Sequence, residues 1–231
     1  MLPFGVGVFV LTEESLSYSA FDLDIIPSMD AAVGGDWLFW GAKRAFDLCV
    51  SIAALPIVAM VGLVILALNP LWNPGPLFYT QLRMGRDQKP FRIFKFRTMR
   101  AAATIGRGAN DPVESDRITP LGRFLRRMRF DELPQILNVL RGDMSLIGPR
   151  PDYIDHAREY ADTIPAYRLR HSIRPGISGY AQVTLGYAEG LELAAAKAKF
   201  DLYYLRNAGW RLELAVLAQT FRVMASGFGA R

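Results

Sequence analysis

Residues 48–68 read LCVSIAALPIVAMVGLVILAL, 21 consecutive residues without a charge. At 1.5 Å per residue, a straight helix of that length covers roughly the ~30 Å hydrocarbon core of a bilayer. So long an apolar run marks a membrane-embedded segment rather than the core helix of a water-soluble domain. Pro56 lies near its middle, where it removes a backbone hydrogen bond and crowds the preceding turn. Each half, 46–55 and 57–68, reaches only about mid-bilayer, at ~15–18 Å. The expectation is a re-entrant helical hairpin broken at Pro56, entering and leaving on one face.

The flanks favour the same reading. Lys43 and Arg44 precede the run, and Arg83, Arg86, Lys89, Arg92, Lys95, Arg97 and Arg100 follow it. Bases gather on the cytosolic side of a membrane, so basic flanks at both ends favour two cytosolic ends. An acidic stretch upstream argues for the opposite side, but acids weigh little in that rule.

The chain has 231 residues, 51% hydrophobic, 12% aromatic and 21% charged, with a mean hydropathy of +0.14 and a pI near 9.5. This composition excludes a disordered, collagen-like or disulfide-stapled protein. Apolar surface for lipid and basic surface for an anionic partner would reconcile the two values. The single cysteine, Cys49, excludes an internal disulfide and a Cys-rich zinc site, and His156 and His171 are too far apart for a local metal motif. No base precedes Lys43, so no secretory signal is expected. Residues 1–36 hold six acids and no base, leaving 27 bases against 16 acids in the remainder, a net of +11. They read as an acidic, mobile N-terminal tail.

Beyond the apolar run, Phe91-Arg92-Ile93-Phe94-Lys95-Phe96 alternates as a strand does. Residues 101–116 lack periodicity and read as a mobile loop. Thr119-Pro120 predicts a helix start, with Thr as N-cap and Pro at the first position. That helix carries Arg123, Arg126, Arg127 and Arg129 among Phe124, Leu125 and Met128, a basic amphipathic pattern suited to an anionic membrane surface. Two further amphipathic helices are expected near 191–206 and 212–225. No internal repeat is visible.

Residues 126–151, RRMRFDELPQILNVLRGDMSLIGPRP, carry the chemistry. Leu133, Ile136, Leu137 and Leu140 have helical spacing, and Gly142 is a natural stop. Asp131 is thereby predicted to be the N-cap, with Pro134 in the first turn. Glu132 adjoins it and arginines precede it. A carboxylate there stays ionised and can attack a phosphoryl group, given cations to neutralise the substrate. Mg²⁺ takes one or two carboxylates and completes its shell with water and substrate phosphates, so Asp131 and Glu132 are also the candidate metal ligands. Arg150 and Arg174 are each flanked by proline, and a pre-ordered guanidinium binds phosphate at low entropic cost.

Five segments then form a pattern: Lys95-Phe96-Arg97-Thr98-Met99, Asp131-Glu132-Leu133-Pro134-Gln135, Asn138-Val139-Leu140-Arg141-Gly142-Asp143-Met144-Ser145, Gly148-Pro149-Arg150-Pro151 and Arg174-Pro175-Gly176-Ile177-Ser178-Gly179. In this order they resemble the bacterial sugar transferases, the small monotopic phosphoglycosyl transferases acting on polyprenyl phosphate. The resemblance runs from about Lys43 to the end. It implies transfer of a sugar phosphate from a UDP-sugar to undecaprenyl phosphate with release of UMP, at the start of exopolysaccharide or related glycan synthesis. It also implies a re-entrant hairpin broken here at Pro56, Asp131 as nucleophile in an Asp-Glu dyad, and Arg150 as a phosphate clamp. Lys95, Arg97, Arg174 and Gln182 complete the candidate substrate contacts. Two departures stand out. Many members have Ser-Pro where this chain has Leu55-Pro56. Many have Asn-Gly-Arg after Ala181-Gln182-Val183, where this chain has Thr184-Leu185-Gly186-Tyr187, as the exopolysaccharide-initiating branch does.

The expected fold is mainly α with minor β: a monotopic membrane protein with a Pro-broken re-entrant hairpin, amphipathic surface helices and a small cytosolic catalytic domain. Its divisions are a tail at 1–36, a membrane-embedded helix at 37–70 and the catalytic domain at 71–231. The expected setting is the cytosolic face of a bacterial inner membrane. The expected partners are a UDP-sugar, undecaprenyl phosphate, the bilayer and Mg²⁺, with self-association left open. Nucleic-acid binding through the Arg-rich helix is disfavoured, because no recognisable nucleic-acid module accompanies it. A non-catalytic membrane-surface scaffold for polysaccharide assembly is the alternative. Asp143, Asp152, Asp155 and Asp201 are assigned ordinary capping or surface roles.

Overall fold

The computed structural model describes residues 33–100, 114–164, 167–185 and 191–226. Most of the acidic tail, most of the 101–116 loop, and Gly186 and Tyr187 lie outside the described residues. The last residues of the expected tail are anchored: the Gly34 N–H donates to Leu205 O at 2.7 Å, and Asp36 caps α1 by accepting from the Phe39 N–H.

Helix α1, Trp37–Trp72, runs without interruption through Pro56 and Pro70. Pro56, expected to split the segment, does not end the helix; the loss of one N–H leaves the neighbouring bonds to hold the path. Phe39, Lys43, Asp47, Ser51, Val58, Gly62, Ile65 and Asn69 form its buried face, at three- to four-residue steps apart from one longer gap. Its other face exposes Trp37, Leu38, Phe46, Ile52, Ile57, Met60, Leu63, Val64, Leu66, Leu71 and Trp72.

The globular part packs along that buried face. Strands β1, Phe78–Met84, and β2, Pro90–Phe96, form an antiparallel ribbon in which Gln81 pairs with Ile93. Phe96 joins Val58 and Ile65 of α1 to Leu121, Leu125 and Ile136 in one apolar cluster. Leu121 and Leu125 lie on α2, Pro120–Arg127, which begins as expected: the Gly122 N–H donates to Thr119 Oγ1 at 3.0 Å. The helix stops short of Arg129, which takes a left-handed conformation (φ 59°) and turns the chain toward residues 130–132.

Helix α3, Gln135–Arg141, ends at left-handed Gly142 as predicted, but its N-cap is Pro134 and not Asp131. Three residues after Asp131 stands a proline with no N–H to give a cap. The Leu133 N–H is already used by Phe130 O at 3.2 Å. Asp131 instead sits in a short 3₁₀ turn at Phe130–Glu132.

Strand β3, Ser145–Ile147, lies parallel to β4, Gly176–Ser178, and brings the two Pro-flanked loops together. A Cβ on Gly176 would meet Gly148 N at 2.1 Å, so this approach requires glycine. Helices α4, Ile154–Thr163, α5, Tyr180–Leu185, α6, Leu191–Arg206, and α7, Trp210–Ser226, complete the body. The last two match the two expected C-terminal helices.

Candidate active site

Asp131 and Glu132 are each 7% exposed, and adjacent carboxylates so buried need cations nearby. Glu132 has them. Lys95 Nζ donates to Glu132 Oε1 at 2.9 Å, and Arg150 grips both oxygens, with Nη1 on Oε2 at 3.2 Å and Nη2 on Oε1. Strand β2 positions the lysine and the loop after β3 positions the arginine. Arg150 is steadied in turn, donating to Ile177 O at 3.1 Å while its own carbonyl accepts from Arg170 Nη2 at 2.8 Å. Arg170 is buried and paired with Asp152 and Asp201, and Lys197 and Tyr167 also reach Asp152. Those two aspartates brace the clamp loop from within through ion pairs, Asp201 being buried, and are not the capping or surface residues that were expected.

The two carboxyls of the dyad are pushed in opposite directions. Burial raises Asp131, the adjacent Glu132 charge raises it further, and Lys95, Arg126 and Arg150 only partly offset this, leaving it at about 6. Burial would also raise Glu132, but Arg150 and Lys95 outweigh it and hold that group below the usual carboxylate range. Glu132 is therefore a fixed anion that organises two cations. Asp131 is ionised at neutral pH and poorly stabilised, and its Oδ1 is buried with no hydrogen-bond partner among the described residues.

One turn further, Gln135 is fully buried, and neither its Oε1 nor its Nε2 has a partner among the described residues. Sequence reasoning assigned it no role. The available signal was no more than its four-residue spacing from Asp131.

The other sequence candidates go elsewhere. Arg97 is 7% exposed and donates to Pro76 O at 2.7 Å, Met99 O at 3.1 Å and Asn73 O, closing the end of α1. Arg174 donates through Nε to Gly142 O at 2.8 Å, at the end of α3 remote from the dyad. Gln182 lies on α5, with its Oε1 buried and unpartnered among the described residues. Lys43, counted as a flank charge, is 3% exposed and bonded to Glu213 Oε2 at 2.6 Å.

Among the described residues no group of three or more His, Cys, Asp or Glu side chains could enclose a metal. Of the two expected metal ligands, Glu132 is saturated by cations, whereas Asp131 Oδ1 has no hydrogen-bond partner among the described residues, so Asp131 is the carboxylate whose chemistry fits an ion shared with substrate phosphates and water.

A half-neutralised carboxylate pair, held by a lysine and a braced arginine beside a long apolar helix, is suited to phosphoryl chemistry at a membrane. Residues 38–227 match the profile of the bacterial sugar transferases, and the chain belongs to that family. It is 40% identical over 190 residues to the UDP-N-acetylgalactosamine-undecaprenyl-phosphate N-acetylgalactosaminephosphotransferase of Aeromonas hydrophila, covering 82% of this chain and 45% of that protein. It is 39% identical to the UDP-glucose:undecaprenyl-phosphate glucose-1-phosphate transferase of Escherichia coli K12, covering 71% and 36%. It is 38% identical to the exopolysaccharide production protein PSS of Rhizobium leguminosarum, covering 77% and 92%. The chain thus spans less than half the length of the first two relatives and most of the third.

Proposed function

We propose that this chain is a monotopic phosphoglycosyl transferase that moves a sugar phosphate from a UDP-sugar to undecaprenyl phosphate, releasing UMP, in exopolysaccharide or related glycan synthesis. The observation that carries the reading is the pair of opposite environments at Asp131 and Glu132, one carboxylate open and the other saturated.

In the first step an Asp131 oxygen attacks the sugar-linked phosphorus, the bond to the UMP oxygen breaks, and UMP leaves. In the second an oxygen of the lipid phosphate attacks the same phosphorus and frees Asp131. Lys95 and Arg150, held by Glu132, lie where charge on the transferring phosphoryl oxygens needs neutralising. Mg²⁺, when bound at Asp131, supplies further charge neutralisation at the phosphates. Each step exchanges one energy-rich phosphate bond for another, so no other energy source is needed.

The membrane reading rests on α1. Of its most apolar 18-residue window only 17% is buried in protein, which leaves the outer face for lipid. Both halves of the helix pack on the same globular part: Lys43 and Asp47 reach Glu213 and Ser145, whereas Val58, Ile65 and Asn69 meet Phe96, Leu121 and Arg97. A helix crossing the bilayer would carry one set of those partners through it, and α2 with Arg123, Arg126 and Arg127 cannot go there. This packing supports our reading that both ends lie on one side, the cytosolic face of the inner membrane, with residues 71–231 as the catalytic domain. Trp37 and Trp72 at the two ends suit the interfacial belt.

The test is UMP release by the purified protein with Mg²⁺, undecaprenyl phosphate and a panel of UDP-sugars. With the lipid withheld, intact-mass analysis should show an adduct of one sugar phosphate, absent in Asp131→Asn. No release from any UDP-sugar by folded protein would overturn the reading.

A further inference from the structure

Arg174 belongs to a Pro-flanked motif that the dyad does not absorb. Its Nε is used by Gly142 O, and among the described residues Nη1 and Nη2 have no hydrogen-bond partner and no carboxylate lies within ion-pair distance. It lines a cavity of about 480 Å³ with Lys43, Arg44, Arg86, Ser145 and Ser172. Val33, Trp40, Ile147 and Ile173 give the same cavity an apolar side.

The charges do not cancel there. Asp47 is spent on Ser145 Oγ at 2.6 Å, the Leu146 N–H at 3.3 Å and Lys43 at 3.8 Å. Asp87 faces Arg86 at 3.6 Å. Arg44 is fixed by Val139 O at 2.8 Å and Met144 O at 3.4 Å, carbonyls that orient a guanidinium without neutralising it. Burial together with the nearby Arg44 and Arg86 charges lowers the Arg174 pKa, and the Asp47 charge only partly offsets them. The turn that presents Arg86 holds two successive non-glycine residues in left-handed conformation, Asp87 (φ 54°) and Gln88 (φ 57°), a strain found where ligands are clamped.

We propose that this cavity is a second anion site, separate from the dyad, that takes the phosphate of a ligand between Arg174, Arg86 and Arg44. A right-handed helical path of eleven residues, roughly 15 Å long, separates Asp131 from Gly142. A phosphate held by Arg174 is therefore not the phosphate attacked at Asp131. The apolar wall beside Trp40, in the first turns of α1, suits the glycerol and upper acyl portion of an anionic phospholipid, and a free phosphate would use the same guanidinium groups.

The test uses the full chain in neutral detergent and follows the thermal unfolding midpoint during titration with inorganic phosphate and, separately, with short-chain phosphatidylglycerol. Phosphatidylcholine of equal chain length is the control. The wild type and Arg150→Gln should be stabilised by at least one anionic probe, and Arg86→Gln and Arg174→Gln should bind it at least tenfold more weakly. Stabilisation by phosphate assigns a free-phosphate source, and stabilisation by phosphatidylglycerol alone assigns a headgroup. Should Arg174→Gln fail to fold, Arg86→Gln decides the matter, because the Arg86 side chain is 52% exposed. An Arg86→Gln protein with unchanged affinity overturns the proposal. So does a shift lost only in Arg150→Gln, a shift matched by phosphatidylcholine, or no shift with either anion.

Discussion

Asp131 shows how one neighbour changes a residue's task. Its acidic type and position before an apolar helix announced a cap, but Pro134 has no N–H to donate to it, and the carboxylate is left for chemistry. That consequence was legible in the sequence at the third residue after the aspartate. The unpartnered amide of Gln135 was not, since only the packing around it shows that nothing described bonds it. Asp131 titrates near 6 in the fold against 3.8 ordinarily, so the folded chain holds this proton more tightly than the unfolded one. Its contribution to stability is full below about pH 3.8 and is lost as the pH rises through about 6. Asp131→Asn removes that loss. At pH 7.5 without divalent ions the variant should be more stable, by on the order of 2–3 kcal/mol in chemical denaturation, and should show no UMP release. The wild type's turnover should fall on the acid side with a midpoint near pH 6. Gln135→Leu exchanges an unbonded buried amide for carbon of similar size. We expect an unfolding midpoint equal to or above the wild type's and turnover at least tenfold lower; a midpoint several degrees lower would mark the amide as structural.

The identities of β2, α2, α3, α6 and α7 followed from alternation, capping residues and glycine stops, because those signals act within a few residues; β3, β4, α4 and α5, short elements set by packing, were not foreseen. Arg97 was misplaced for the opposite reason. The resemblance made it a candidate substrate contact with Lys95, but β2 ends at Phe96 and the chain turns, carrying the guanidinium to the end of α1. Arg97→Ala should leave the Asn73, Pro76 and Met99 carbonyls without their donor and destabilise the protein by about 3–5 kcal/mol. The folded fraction should keep the wild-type KM for its UDP-sugar, a result that a substrate-binding arginine would not give. Arg97→Lys should not restore the midpoint, since an ammonium cannot reproduce the planar fork.

Across the whole molecule the apolar run was legible as membrane-embedded from its length, whereas the domain packed along it was not, because contacts between Gly62 and Phe96 or Lys43 and Glu213 join distant parts of the chain. Cysteines placed singly at Trp37 and Trp72, in a Cys49→Ser background, should both react with an impermeant maleimide from the same side of inverted membrane vesicles. Reaction of one from each side would establish a span. The long buried face of α1 also bears on how such a protein can leave its membrane. The anchor is one wall of the building rather than its mooring rope: cut away, it would strip cover from Phe96, Leu121 and Leu125 and leave Glu213 facing no lysine. A protease that severs this helix should yield an aggregating remnant, and no soluble, active fragment should be obtainable by trimming.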